Sequence, residues 1–327
     1  MFGRTSRGRA AGLALGWLAD RALGDPRRGH PVALFGRGAS AVERLTYSDA
    51  KGPGVLHTTV LLGLLGAVGI GAERAAAKRG AVATAAITAA ATFVALGGTS
   101  LARTGEQMTR LLEADDVDGA RGLLPSLCGR EPSALDTAGL TRAALESVAE
   151  NTSDAQVAPL WWGMLGGVPG LLVYRGANTL DAMIGHRSPR YERFGWAAAR
   201  FDDVLNYVPA RATGLLVAVC APAVGGSARA TVTAWRRDAA RHPSPNAGVA
   251  EAAFAGALDV RLGGPTRYAH RTELRPTLGD GRVPEVADLG RSVTLSRAVQ
   301  VLAAVAAVAA VAVSAACRSG RPCAPQS

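Results

Sequence analysis

The sequence predicts an all-α, polytopic integral membrane protein, and three observations predict it. The chain is 48% hydrophobic and has a mean hydropathy of +0.15 although 19% of it is charged, so apolar and polar residues must be sorted into blocks. The apolar content is mostly Ala, Leu and Val, with only 5% aromatic residues. The formal charge of +10 comes largely from arginines in the stretches that flank the apolar blocks, where cytoplasmic loops of membrane proteins concentrate them.

A bilayer core takes about 20 apolar residues in a helix. Residues 55–72, 81–102, 204–225 and 295–317 meet that need, and residues 10–23 and 157–173 are shorter candidates. The expectation is four to six apolar helices within a single domain, 1–327, joined by cytoplasmic helical loops. Arg4, Arg7 and Arg9 before the first apolar run imitate a signal peptide, but Asp20 and Arg21 interrupt it, so it is read as a retained segment. Segment 157–173 contains Gly166-Gly167-Val168-Pro169-Gly170, which a straight helix tolerates poorly, so it is expected to be re-entrant or broken there. In 204–225, Asn206 and Arg211 stand near the start. Three polar blocks lie between: 24–54, 103–156 and 227–294. In the second, Met108, Leu111 and Leu112 have helical spacing. The third holds ten arginines against seven acidic residues. Counting crossings puts the three blocks on one side, read as the cytoplasm, although Arg74, Lys78 and Arg79 would then face outward.

Other classes find little support. There is no zinc-finger spacing and no aromatic RNA-binding motif, so nucleic acid is not an expected partner. Cys128, Cys220, Cys317 and Cys323 form no CxxC pair. No GxxxxGK[ST] loop and no nucleophile elbow occurs, so an ATP site here is not of the P-loop type.

Several runs concentrate polar chemistry. Glu146-Ser147-Val148-Ala149-Glu150-Asn151-Thr152-Ser153-Asp154 packs three carboxylates and a carboxamide into nine residues. Glu146, Glu150 and Asp154 fall at i, i+4 and i+8, one stripe of a continuous helix, where like charges need a cation, a basic partner or solvent. Arg175, Asn178 and Asp181 follow an apolar segment, where they are functional or merely anchor the interface. Asp202 and Asp203, with Asn206, suit Mg²⁺ held jointly with substrate phosphates, or a helix start. Arg241-His242-Pro243-Ser244-Pro245-Asn246-Ala247-Gly248 is a turn-rich loop that can present N–H groups to phosphate, or an ordinary proline turn.

Together with Gly24-Asp25-Pro26, His30-Pro31-Val32, Tyr174 to Met183 and Phe194 to Asp203, these runs resemble the CobD/CbiB family, the adenosylcobinamide-phosphate synthases of cobalamin biosynthesis. The resemblance covers roughly residues 12–315 in the family's order. Ala155, the stretch His186 to Tyr191, Ala250 and Thr266 depart from the family pattern without removing an acidic or cationic residue of the motifs. The resemblance implies a multi-pass enzyme of the cell membrane, a ligase. It implies ATP-dependent amide formation between adenosylcobyric acid and (R)-1-aminopropan-2-ol or its O-phosphate, with ATP as co-substrate and Mg²⁺. Glu146, Glu150, Asp181 and His242 are then the catalytic candidates. Asn151, Arg175, Asn178, Arg187, Arg200, Ser244 and Asn246 are the candidates for substrate and phosphate, and Asp154, Asp202 and Asp203 for the metal. The runs around 146–154, 175–187, 200–206 and 242–248 are expected to act in one pocket. Membrane lipid and other corrinoid-pathway enzymes are the further partners implied. The competing readings are a membrane transporter and a non-catalytic scaffold for corrinoid enzymes.

Overall fold

A computed structural model describes residues 2–26, 29–133, 135–186, 188–268 and 271–319. In chain order the elements are α1 (Phe2–Leu23), α2 (Pro31–Thr46), α3 (Lys51–Arg79), α4 (Ala81–Ala95), α5 (Gly98–Glu113), α6 (Val117–Leu123), α7 (Thr137–Thr152) and α8 (Ala158–Leu180). There follow α9 (Trp196–Cys220), α10 (Ala228–Asp238), α11 (Ala247–Leu258), the strands β1 (Leu262–Tyr268) and β2 (Arg271–Leu278), and α12 (Val286–Ser319). Five helical runs are long and apolar enough to cross a membrane: Lys51–Arg79, Ala81–Glu113, Thr137–Gly185, Trp196–Val224 and Val286–Cys317. The all-α polytopic reading therefore holds, with one small hairpin the sequence did not suggest.

The chain divides into two compact units: Met1–Leu96 with Pro159–Val204 and Ala303–Ser327, and Gly97–Ala158 with Leu205–Leu302. In the first, small residues let helices meet at close range. Gly8, Gly12 and Gly16 of α1 face Thr84, Thr88 and Thr92 of α4, and an added Cβ on Gly8 would sit 2.7 Å from the Ala81 carbonyl oxygen. Both rows repeat every four residues, the spacing of one helix face, and packing of this kind joins helices where no water is left to expel. α3 continues through Arg79, so Arg74, Lys78 and Arg79 stand on its last turns and the turn to α4 is Gly80 alone, at φ 102°.

The segment expected to be broken is broken. Gly167 has φ 62° and ψ −143°, outside the helical region. Residues eight apart in a straight helix are separated by about 12 Å. Here a Cβ on Gly163 would lie 3.0 Å from Leu171 Cδ2, and one on Gly170 would collide with the Trp162 carbonyl oxygen. The chain thus reverses at Gly167 into two short arms, and the Gly-Gly-Val-Pro-Gly run supplies the positive φ and the close approach. Arg9 Nη2 bonds Glu73 Oε1 at 2.5 Å, and both atoms lie 2.7 Å from where a Gly167 Cβ would be. The arms pack on Ala91 and Ala95 of α4.

A second interruption differs from expectation. The apolar stretch 81–102 does not form one helix, because Leu96 is extended (φ −77°, ψ 158°) and α5 restarts at Gly98. Gly98 accepts no side chain: Gln300 and Gln156 fill that space.

The second unit is built around α11, whose residues are almost all buried and half of them alanine. Gly256 lets α10 approach, since a Cβ placed on it would lie 2.8 Å from Ala234 Cβ. α7 packs beside it and α5 beside α7, and α7 meets α12 where Thr152 Oγ1 and Ser296 Oγ lie 2.7 Å apart. Caps set the helix starts: Asp116 and Asp136 accept from the N–H groups of Gly119 and Gly139 at 2.9 and 2.8 Å. β1 and β2 are antiparallel, and a bulge between Leu262 and Gly264, where β2 carries one residue more than β1, shifts the register so that Gly264 faces Arg275; Gly263 and Gly264 have φ 87° and 92°.

Candidate functional site

In the second unit, three carboxylates gather with two guanidiniums and an imidazole. Glu146 and Glu150 come from α7, one turn apart, and Glu251 is the single charge of α11. Arg130 lies in the connection before α7, Arg275 on β2, and His242 in the loop before α11.

Glu146 is fully engaged. Its Oε2 is held by Arg130 Nη2 in a buried ion pair, and its Oε1 accepts the Gly263 N–H at 2.7 Å. The bulge explains that second bond: positive φ at Gly263 turns its N–H away from the ladder and toward α7. Two charged hydrogen bonds compensate the cost of taking this carboxylate out of water. The Arg130 guanidinium is held firmly charged: burial works against its charge, and Glu146 more than offsets that.

Glu251 is different. It is 1% exposed, and neither carboxylate oxygen accepts a hydrogen bond among the described residues. Its Oε1 lies 3.6 Å from His242 Nε2 and 3.7 Å from Arg275 Nη1. Burial pushes its carboxyl well above the ordinary value, and the charges of Glu146 and Glu150 push the same way. Arg275 and Arg130 oppose them without prevailing. Burial also raises the nearby Cys128 thiol, so it is held as a thiol against the pull of Arg130.

The loop 242–248 positions the imidazole. His242 Nδ1 lies 3.0 Å from the Ser244 nitrogen and 3.1 Å from the Ser244 carbonyl oxygen, and its Nε2 faces Glu251. Ser244 Oγ accepts from the N–H groups of Asn246 and Ala247 at 3.3 and 3.2 Å, closing the turn into α11. Asn246 Oδ1 accepts from Arg211 Nη1 at 2.9 Å. Gly248 is required because the Ala239 carbonyl and His242 Cβ occupy the place of its side chain.

The expected residues divide between the units. Glu146, Glu150, Asn151, Asp154, His242, Ser244 and Asn246 belong to the second, as does Asn206; Arg175, Asn178, Asp181, Arg200, Asp202 and Asp203 belong to the first. Arg187 and Cys323 lie outside the described residues. The acidic stripe does not run straight. Regular α-helix ends at Thr152, and Asp154 falls within the π turn Ser153–Val157 that follows. Asn151 Nδ2 donates to the Ser147 carbonyl at 3.0 Å, and Ser147 Oγ donates to the Leu127 carbonyl at 2.6 Å. In the first unit, Arg175 Nη1 donates to Asn178 Oδ1 at 3.4 Å. Arg175 and Thr179 line an apolar pocket with Pro31, Phe35, Leu65 and Leu172. Asp181 opens a π turn, Asp181–Gly185. Arg200 Nη1 donates to Asp203 Oδ2 at 3.2 Å. Among the described residues, no three His, Cys, Asp or Glu side chains are gathered as a ready metal site.

Sequence reasoning did not single out Arg130, Glu251 or Arg275 as site residues. Glu251 carried a signal, as the one charge in an alanine-rich helix that follows the His-Pro-Ser-Pro-Asn loop.

A family profile described as CobD/Cbib protein matches residues 13–296. A "Cobalamin biosynthesis protein CobD" of Mycobacterium tuberculosis (strain ATCC 25618 / H37Rv) is 64% identical over 300 residues, covering 92% of this chain and 95% of that protein. A protein of the same name from Chromobacterium violaceum is 42% identical over 290 residues, covering 86% and 90%. One from Geobacter metallireducens is 39% identical over 275 residues, covering 82% and 85%. No solved structure matches the chain.

Proposed function

The chain belongs to the CobD/CbiB family and serves cobalamin biosynthesis, and from that premise we propose that it is an ATP-dependent ligase joining adenosylcobyric acid to (R)-1-aminopropan-2-ol or its O-phosphate. The observation that carries this reading is the buried cluster of Glu146, Glu150, Glu251, Arg130, Arg275 and His242. A scaffold has no use for three carboxylates brought together at the cost of desolvation.

The chemistry asks for two displacements. An oxygen of the acid's carboxylate attacks the terminal phosphorus of ATP, and ADP leaves with the electrons of the broken P–O bond. The amine nitrogen then attacks the acyl carbon, a C–N bond forms, and phosphate leaves with the electrons of the C–O bond. The amine arrives as an ammonium ion, so the second displacement needs a proton acceptor and a place that binds a cation. Glu150 and Arg275, both partly exposed, form the accessible edge of the cluster, with Glu150 as the group that meets the ammonium. Arg130 and the Gly263 N–H hold Glu146 in place beside it.

Mg²⁺ would enter with ATP, since it is usually held by one or two carboxylates together with substrate phosphates rather than by an all-protein cage. Asp154, Asp202 and Asp203 are the carboxylates offered for it. Arg175, Asn178, Arg187, Arg200, Ser244, Asn246 and Asn151 are offered for substrate and phosphate, and Asp181 for proton transfer. ATP is cytoplasmic, so the second unit's polar loops belong on that side of the cell membrane.

The test is direct. Purified protein in detergent is given adenosylcobyric acid, ATP, Mg²⁺ and either amine, and product mass and ADP are followed. Amide formed in step with ADP supports the reading, and the preferred amine shows which substrate is used. Unchanged adenosylcobyric acid with both amines would remove it. The reversal at Gly167 favours one other reading, a transporter, because broken helices line transport paths. ATP-independent corrinoid uptake into proteoliposomes would support that instead.

A further inference from the structure

The cluster in the second unit has an unequal charge count. Three carboxylates, Glu146, Glu150 and Glu251, face two guanidiniums, Arg130 and Arg275. His242 adds no fixed charge, since an imidazole is a cation only when both ring nitrogens carry a proton. With the imidazole neutral, the fully ionised cluster therefore carries, among the described residues, one negative charge more than its guanidiniums offset. Of the three carboxylates, Glu146 is engaged at both oxygens, by an ion pair and a backbone N–H. Glu251 accepts no hydrogen bond at either oxygen among the described residues, although it is buried. A buried carboxylate without donors is the one that gains most from a proton.

We propose, on the reading that the protein forms an amide bond, that Glu251 is the terminal proton acceptor that turns the bound ammonium into a free amine. The excess negative charge first draws the ammonium to the partly exposed edge at Glu150. One proton leaves the ammonium nitrogen, passes by way of Glu150 and rests on Glu251, so the cluster and the amine both become neutral. The nitrogen lone pair then forms the C–N bond, and the second N–H proton departs with the leaving phosphate. Glu251 returns its proton to solvent before the next turnover. His242 Nε2 and Arg275 keep the resting carboxylate oriented, at 3.6 and 3.7 Å. Among the described residues, the groups facing Glu251 are Glu146 and Glu150 from α7, Arg130 from the preceding connection, His242 from the loop and Arg275 from β2. Glu251 thus acts through Glu150 and is a positioning residue for the proton rather than a contact of the acyl group.

The experiment compares two nucleophiles. Aminopropanol arrives protonated and needs an acceptor. Hydroxylamine is largely neutral at neutral pH and attacks an activated acyl group unaided, giving a hydroxamate. Wild-type protein, Glu251→Gln and Glu251→Asp are each given adenosylcobyric acid and ATP with either nucleophile, over a range of pH. The expected result is that Glu251→Gln loses at least about a hundredfold in amide formation. It should retain hydroxamate formation, and its deficit should shrink as pH rises and free amine accumulates. Glu251→Asp should keep the wild-type pH profile at reduced rate. The proposal is overturned if Glu251→Gln forms amide normally, if its deficit is the same at every pH, or if it loses hydroxamate equally while still folded. Should Glu251→Gln fail to fold, a Glu251→Asp variant whose amide formation and pH profile match a folded Glu251→Ala would overturn it. Wild-type protein that makes neither product removes the ligase reading itself, a result distinct from all of these.

Discussion

The first unit joins its helices through glycine and threonine, with α1 and α4 meeting at Gly8, Gly12, Gly16 and Thr84, Thr88, Thr92, while the second joins its elements around buried charge. Of the twenty-five large hydrophobic side chains exposed among the described residues, eighteen belong to the first unit, including Leu56, Val60, Leu64 and Val68 on α3. That is the surface of a body solvated by lipid tails, where shape alone selects partners. In the second unit Asp238, Glu146, Glu251 and Asp288 are each 1% exposed or less. Three of the four are held by arginine, and Glu251 is the one whose oxygens receive no hydrogen bond among the described residues. Burial of charge is common in this unit and hydrogen bonding of it is the rule, so the carboxylate with longer ion-pair contacts and no hydrogen bond is the informative one.

The comparison breaks most visibly if charge compensation is removed. Arg130→Met leaves Glu146 buried without its cation and is expected to cost about 3–5 kcal/mol, seen as a large fall in the melting temperature of detergent-solubilised protein. A loss within experimental error would mean that Glu146 is not dependent on its arginine. In the first unit the corresponding change is steric. Gly12→Val drives two methyls into Thr88 and the Ala85 carbonyl and is expected to cost about 1–3 kcal/mol, by the same melt. Gly63→Ala on α3, where nothing lies within 4 Å of an added Cβ, should leave stability unchanged and serves as its control.

A pH series sharpens the contrast further. Burial would raise the Asp238 carboxyl, but the Arg237 guanidinium, the Gly279 N–H and Arg241 together hold it below the ordinary 3.8. A depressed folded value means the stabilisation is complete above the unfolded value and disappears as pH falls through the folded one. Asp238→Asn should therefore melt lower than wild type by about 1–3 kcal/mol above pH 4, and the gap should close in more acid buffer. A gap independent of pH would show that the ion pair is not the cause. The smallest effect is expected at the Arg200–Asp203 pair, where Arg200 is 61% exposed, so Asp203→Asn should cost less than about 1 kcal/mol.

Much of the membrane architecture was legible because periodicity and length report directly on burial in lipid. The break at Gly167 was legible too, since Gly-Gly-Val-Pro-Gly cannot form a regular helix. The hairpin of β1 and β2 was not. Gly263-Gly264-Pro265-Thr266 carries no alternating pattern, and its pairing depends on a bulge that only the fold around Glu146 explains. For the site, the acidic run on α7 stood out as a local cluster. Its partners did not, because Arg130, Glu251 and Arg275 are single residues brought in by three separate elements. The π turn at Ser153–Val157 was not legible either, since its extra residue leaves no mark in residue type.

If the chemistry resides in the second unit's carboxylates, Glu150 is the member at its accessible edge and the one whose loss should be felt first. The most direct test is amide formation from adenosylcobyric acid, aminopropanol and ATP by Glu150→Gln, scaled to folded, membrane-inserted protein, beside Gly63→Ala from the first unit. The expected result is a loss of at least about a hundredfold for Glu150→Gln and a wild-type rate for Gly63→Ala. Equal rates in the two variants would contradict a site built on these carboxylates.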